Sequence, residues 1–237
     1  MLSTLRSLKS FFVPRHCDIC QGPLLDSENT ICSKCYTMVK ASAQQNDSES
    51  VAAKLFWGIA PIQRAGVLFD YQSDTPISEI LVDIKYRGYA DVCLRMGRAL
   101  ASFYQPRHFF EGIDLIIPVP LSEHRLHKRG YNQSEKIALG ISEFTGLPLD
   151  VTCIKRIVDN ETQTHLLQTE RMKNVENIFA LTHPERLKGK HILIVDDVIT
   201  TGATISSIIR TITKAAPDTT FSVLALGRGT TGKPTQT

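Results

Sequence analysis

Nothing in this 237-residue sequence approaches the roughly 18 consecutive apolar residues that a membrane-spanning helix requires. Near the amino terminus Arg6 and Lys9 are followed only by the brief apolar run Phe11, Phe12 and Val13, too short for the core of a secretory signal, so a cytoplasmic protein with no membrane insertion is expected. A formal net charge of +3 is too small to imply nucleic-acid binding on charge alone. The patterns Gly-x-x-x-x-Gly-Lys and Gly-x-Gly-x-x-Gly are both missing, which argues against an ordinary ATPase or nicotinamide enzyme. Internal repeats and extended low-complexity segments are also absent. With 42% hydrophobic and 22% charged residues, the chain can build a core, as one large domain or as a domain with a small appendage.

Cysteine is scarce but unevenly placed. Four of the six cysteines fall near the front as two Cys-x-x-Cys pairs, Cys17 with Cys20 and Cys32 with Cys35. Each pair presents two thiolates to one ion, and two pairs complete the tetrahedral set that zinc prefers. A disulfide framework competes with this reading, but a reducing compartment disfavours it. Four thiolates close the coordination sphere, so the metal is expected to stabilise a fold and not to activate water. His16 is a neighbour of the first pair. Cys93 and Cys153 lie within apolar patterns and read as small buried residues. The polar stretch 41–50, with Gln44, Gln45, Asn46 and Asp47, reads as a linker, and the residues from Gly227 onward as a loose tail.

Between these ends, apolar runs alternate in period. Strands are expected at 62–71, 113–119, 151–158, 192–195 and 221–226. Helices are expected after Pro76, from 91 to 104, from 132 to 143 with Gly146 past its end, and after Thr204, where Ile205, Ile208, Ile209 and Ile212 share a face. Such a β/α series points to a mainly parallel sheet covered on both faces by helices.

The most informative line runs from His191 to Thr204. Its β-branched strand leads into Asp196 and Asp197, two carboxylates read as facing solvent at a strand's carboxyl end, where they can take ribose hydroxyls or a hydrated magnesium ion. Thr200, Thr201, Gly202, Ala203 and Thr204 then supply hydroxyls, a residue that tolerates positive φ, and the free amides of a following helix, whose dipole favours a phosphate. A second cationic stretch, 124–133, follows the strand at 113–119. There Arg125, Lys128 and Arg129 can hold a pyrophosphate across the same crevice, the alternative being a solvated basic turn. The polar segment 159–177 lacks a clear period and reads as a lid, with Gln163, Arg171, Lys173 and Asn174 placed to close over phosphates and exclude water. Lys85, Tyr86, Arg87 and Gly88 end a helix with two cations, a feature as common in ordinary helix termini.

The apolar strand, acid pair and Thr-Gly-x-Thr loop resemble the 5-phosphoribosyl-1-pyrophosphate (PRPP) motif of the type I phosphoribosyltransferases. That resemblance implies that Asp196 and Asp197 bind the ribose hydroxyls, that the loop 200–204 binds the 5-phosphate, and that magnesium accompanies the ligand. Adding the cysteine pairs and the stretches Lys85 to Gly88, Pro118 to Leu121, Arg125, Arg129 to Gln133, Thr162, Gln163, Leu166, Arg171, Asn174 and Phe179, the chain resembles the ComF/GntX proteins over nearly its whole length. The resemblance implies a zinc-ribbon-like module with its linker at 1–50 and a phosphoribosyltransferase-like domain at 51–237. It also implies an association with competence or external DNA. In the hypoxanthine-type transferases an acid stands where this chain has Thr200, so that acceptor class is disfavoured here. Two functions follow as expectations. One is transfer of phosphoribosyl to an unknown acceptor with release of pyrophosphate. The other is a non-catalytic adaptor in DNA uptake, whose zinc module meets a competence helicase, another DNA-uptake protein or single-stranded DNA, with Tyr36 as the main aromatic available for stacking.

Overall fold

The computed structural model of the chain describes residues 16–17, 22–28, 31–42, 52–58, 61–71, 90–158 and 178–229. Cys20, the expected helix after Pro76 with Lys85 to Gly88, and the expected lid 159–177 lie outside the described residues. Among the described residues no helix is long and apolar enough to cross a membrane.

Four strands form the main sheet in the order β1-β6-β5-β2, every neighbouring pair parallel: β1 is Ile62–Tyr71, β2 Leu115–Pro118, β5 His191–Ile199 and β6 Thr220–Gly229. Alternation along β5 divides the core. Leu193 and Val195 belong to one buried cluster, together with Met96 and Leu100 of helix α2 (Ala90–Tyr104) and Ile137 and Ile141 of helix α4 (Gln133–Thr145). Ile192 and Ile194 belong to the other, together with Ile205, Ile208, Ile209 and Ile212 of helix α5 (Ala203–Ala215). Helices thus cover both faces, as a parallel sheet requires.

Helices α2 and α4 cross through two glycines. A Cβ on Gly97 would collide with the Ile137 carbonyl oxygen, and one on Gly140 with that of Leu94, so the two backbones approach as closely as hydrogen side chains allow. Helix α4 is bounded by Asn132, whose carbonyl side chain accepts from Ser134 N–H at 3.1 Å, and by Gly146 in the left-handed conformation.

Several local expectations change. The stretch 151–158 supplies only β3, Ile154–Arg156, which pairs antiparallel with β4, Phe179–Leu181, in a separate two-stranded sheet. The cause lies at Asp150, whose carboxylate accepts from the amides of Thr152 at 2.7 Å and Cys153 at 3.0 Å and so turns the chain before a longer strand can form. The basic stretch after β2 is not an open turn. Its first part is helix α3, Glu123–Arg129, capped by Ser122 and stopped by Gly130 at φ 77°. Gly227, Arg228 and Gly229 belong to β6 and not to a tail. The helix α1, Ser33–Ser42, runs one turn's edge into the expected linker.

Candidate functional site

All strands of the main sheet are parallel, so their carboxyl ends share one edge. There Pro118 of β2 stands beside Val195 of β5, and the ladder continues through Val119 N–H donating to Val195 O at 2.9 Å. The basic helix α3 therefore follows the strand that neighbours the one carrying the acid pair.

The acids differ from each other. Strand β5 continues through them to Ile199, and Asp196 is buried while Asp197 is half-buried, which corrects the expectation that both face solvent. Asp196 Oδ1 accepts from Ser134 Oγ–H at 3.0 Å and from Asp197 N–H at 2.9 Å. A buried carboxylate is tolerated only when donors of this kind replace water. Asp197 lies on the α2 and α4 side of the sheet, where its charge is felt by Cys93. The Cys93 thiol is fully buried, and that burial, with Asp197 opposing ionisation, pushes it up to about 12 even though Tyr131 donates a hydrogen bond to it. Burial and Cys93 likewise push Tyr131 up to about 12. Both groups are neutral at physiological pH, and Cys93 is a packing residue and not a nucleophile.

After Ile199 the chain makes the hydroxyl loop. Thr200 and Thr201 are exposed, Gly202 is buried with φ 73°, and Ala203 opens α5. A left-handed residue is needed here for the chain to swing from strand into helix, and glycine adopts it without strain. Space is also limiting, because a Cβ on Gly202 would stand 3.0 Å from the Phe56 ring and 3.5 Å from the Leu55 carbonyl. Those two residues belong to a short 3-10 turn, Ala53–Phe56, followed by Trp57, which is 62% exposed and has the Lys54 ammonium 5.6 Å from its ring centroid. The loop thus carries the exposed Thr200 and Thr201 at the start of α5 above the Phe56 ring, an arrangement suited to an oxyanion.

Of the basic candidates, Lys128 is exposed, Arg125 and Arg129 are half-buried, and Arg129 donates to Gln133 Oε1 at 3.0 Å. Gln163, Arg171, Lys173 and Asn174 lie outside the described residues. Asn132 and Gln133, which fell within the stretch 124–133, and Ser134, which sequence reasoning passed over, are all buried although polar. Asn132 donates from Nδ2 to Val119 O at 3.0 Å, fastening the helix start to the end of β2. The signal for them was an Asn followed by two polar residues at a helix opening.

At the other end of the chain, the sulfurs of Cys17, Cys32 and Cys35 lie within 4.8 Å of one another. Cys32 N–H donates to Cys17 Sγ at 3.3 Å and Cys35 N–H to Cys32 Sγ at 3.5 Å. Soft sulfur donors gathered this closely, with amides aimed at them, can hold a metal ion. Tyr36 is half-exposed and packs edge-on against Phe103, with ring centroids 6.1 Å apart.

Residues 125–236 match the family described as "Phosphoribosyl transferase domain". The parallel sheet, the acid pair and the hydroxyl loop fit that assignment, and the chain carries a domain of the phosphoribosyltransferase type. It is 30% identical over 207 residues to the "DNA utilization protein YhgH" of Salmonella typhi, covering 83% of this chain and 89% of that protein. It is also 27% identical over 215 residues to "Competence protein ComFC" of Bacillus subtilis, covering 88% of this chain and 83% of the relative. "Competence protein F" of Haemophilus influenzae shares 25% over 219 residues, covering 84% and 90%. The chain belongs to the ComF family.

Proposed function

We propose that the chain binds PRPP with magnesium at the carboxyl edge of its sheet and transfers the phosphoribosyl group to an acceptor with release of pyrophosphate. Asp196 and Asp197 take the ribose hydroxyls, Thr200, Thr201, Gly202, Ala203 and Thr204 the 5-phosphate, and Arg125, Lys128 and Arg129 the pyrophosphate. Gln163, Arg171, Lys173 and Asn174 close over the phosphates as a lid. The observation that carries this reading is the meeting, on adjacent strands, of an acid pair with a hydroxyl loop built on Gly202 and a basic helix.

Catalysis would rest on positioning and charge. As the bond to pyrophosphate lengthens, positive charge grows on the sugar ring, and the acids on its hydroxyl side stabilise it. Negative charge grows on the departing pyrophosphate, where α3 supplies fixed cations. The lid keeps water from intercepting the sugar. Asp197 and the pyrophosphate oxygens are suited to a hydrated magnesium ion, which when bound would neutralise phosphate charge.

Titration calorimetry with PRPP and magnesium tests the site. Saturable binding is expected for the wild type, with a loss of about tenfold or more in affinity for Asp196→Ala and for Asp197→Ala. Unchanged binding in both variants would overturn the assignment. Pyrophosphate release measured over a panel of bases, ammonia and amines would then identify the acceptor.

A second reading is favoured by the names of the relatives, one a DNA utilization protein and two competence proteins. In it the PRPP site serves an adaptor in DNA uptake. Zinc held by Cys17, Cys20, Cys32 and Cys35 shapes a module within residues 1–50 that meets single-stranded DNA, a competence helicase or another uptake protein, while residues 51–237 bind PRPP. A single-stranded DNA titration across a salt series separates the two, with PRPP turnover and no salt-dependent DNA binding excluding the adaptor.

A further inference from the structure

One hydrogen-bonded line crosses the site from its basic side to its acidic side. It begins at Val119 O, at the end of β2, which accepts from Asn132 Nδ2 at 3.0 Å. Asn132 Oδ1 accepts from Ser134 N–H at 3.1 Å, and Ser134 Oγ–H donates to Asp196 Oδ1 at 3.0 Å. Asn132, Ser134 and Asp196 are all buried, with exposures of 8%, 3% and 9%, so water competes little for these bonds. The same short segment holds Gln133, which accepts from Arg129 of the basic helix.

We infer that Ser134 is a positioning residue that couples the pyrophosphate end of the site to its ribose end by fixing the Asp196 carboxylate. The inference rests on the PRPP reading and adds a residue and a communication to it. A carboxylate rotates about its last torsion unless its oxygens are held. Ser134 and the Asp197 amide both donate to Oδ1, so the orientation of the carboxylate follows the position of Ser134. A pyrophosphate seated on α3 draws on Arg129 and so steadies residues 129–134. Ser134 passes that order to Asp196, and a sugar phosphate arriving second meets an acid already oriented, so less freedom remains to be lost on binding. By linkage the effect is reciprocal, with each ligand tightening the other.

The test uses ribose 5-phosphate and inorganic pyrophosphate as separate probes of the two ends, titrated with magnesium into the full chain, each alone and with the other saturating. For the wild type, pyrophosphate is expected to tighten ribose 5-phosphate by about tenfold. In Ser134→Ala that ratio is expected to fall towards one, and Ser134→Thr, which keeps the hydroxyl, is expected to restore it. Asn132→Ser provides an independent arm. It retains an acceptor for the Ser134 amide but loses the bond to Val119, and the ratio should again fall. A ratio that persists in Ser134→Ala overturns the inference. So does loss of both single-ligand affinities with no selective loss of the ratio, since that pattern marks a merely structural residue. Wild-type protein that binds PRPP without any coupling between the probes overturns this inference alone, whereas wild-type protein that binds no PRPP overturns the reading beneath it.

Discussion

Two neighbouring aspartates of identical chemistry have different surroundings here, and the difference lies in what each carboxylate meets. Asp196 is held at the start of α4 by the Ser134 hydroxyl and is buried, while Asp197 is half-buried and feels the Cys93 thiol of α2. A second consequence at this scale concerns His191, at the opposite edge of the sheet. Its Nε2 lies 2.9 Å from Ser222 Oγ, and its backbone amide donates to Asp114 Oδ2 at 2.8 Å. Burial first, and then the positive charge of Arg64, hold the imidazole below its ordinary value of 6.5, against the opposing pull of the Gly112 carbonyl and Asp114. The unfolded chain therefore takes up this proton more readily than the folded one. His191 contributes stability that is fully present above pH 6.5 and is lost as pH falls below it. Urea midpoints measured from about pH 8 down to about pH 5 should fall more steeply for the wild type than for His191→Gln.

Among the elements, the α2 and α4 pair tolerates little change, because Gly97 and Gly140 set the distance between α2 and the helix that carries Gln133 and Ser134. Gly97→Ala or Gly140→Ala should cost about 3 kcal/mol or more, read as a drop in urea midpoint, since the obstacle is a carbonyl of the facing helix and not a movable side chain. The elements also show what a sequence discloses. Helix α5 was legible because four isoleucines repeat at helical spacing, and β5 because Ile192 to Val195 is an unbroken apolar run rich in β-branched residues. Helix α3 was not. In its seven residues Leu126 is the sole large apolar side chain and stays 44% exposed, so no stripe betrays it, and only Ser122 and Gly130 mark its ends. The length of β3 was misread because Asp150 spends its carboxylate on the next amides, a choice that composition does not reveal. Ser134 and Asp196 are 62 residues apart, and no local pattern announces a bond between them.

On the scale of the whole molecule, Cys17, Cys32 and Cys35 are packed into the same structure as the sheet. Cys17 and Cys35 share a buried cluster with Leu68 of β1, Phe103 of α2 and Leu226 of β6. Removing the proposed zinc should therefore destabilise more than the first 50 residues. With a strong chelator, or in Cys32→Ser, the thermal midpoint of the whole chain is expected to fall as one transition, followed by circular dichroism, together with release of about one equivalent of metal. A separate low-temperature transition that leaves the sheet unaffected would show instead that the module folds independently.

Trp57 is the single tryptophan in the sequence, and it directly follows the Phe56 ring that supports Gly202. The chain therefore carries its own fluorophore next to the loop assigned to the sugar phosphate, with no competing indole to dilute the signal. Occupation of that loop should register as a change in intensity or wavelength of tryptophan emission when PRPP is added with magnesium. Stopped-flow recording of that light would give the rates of ligand arrival and departure on unlabelled protein.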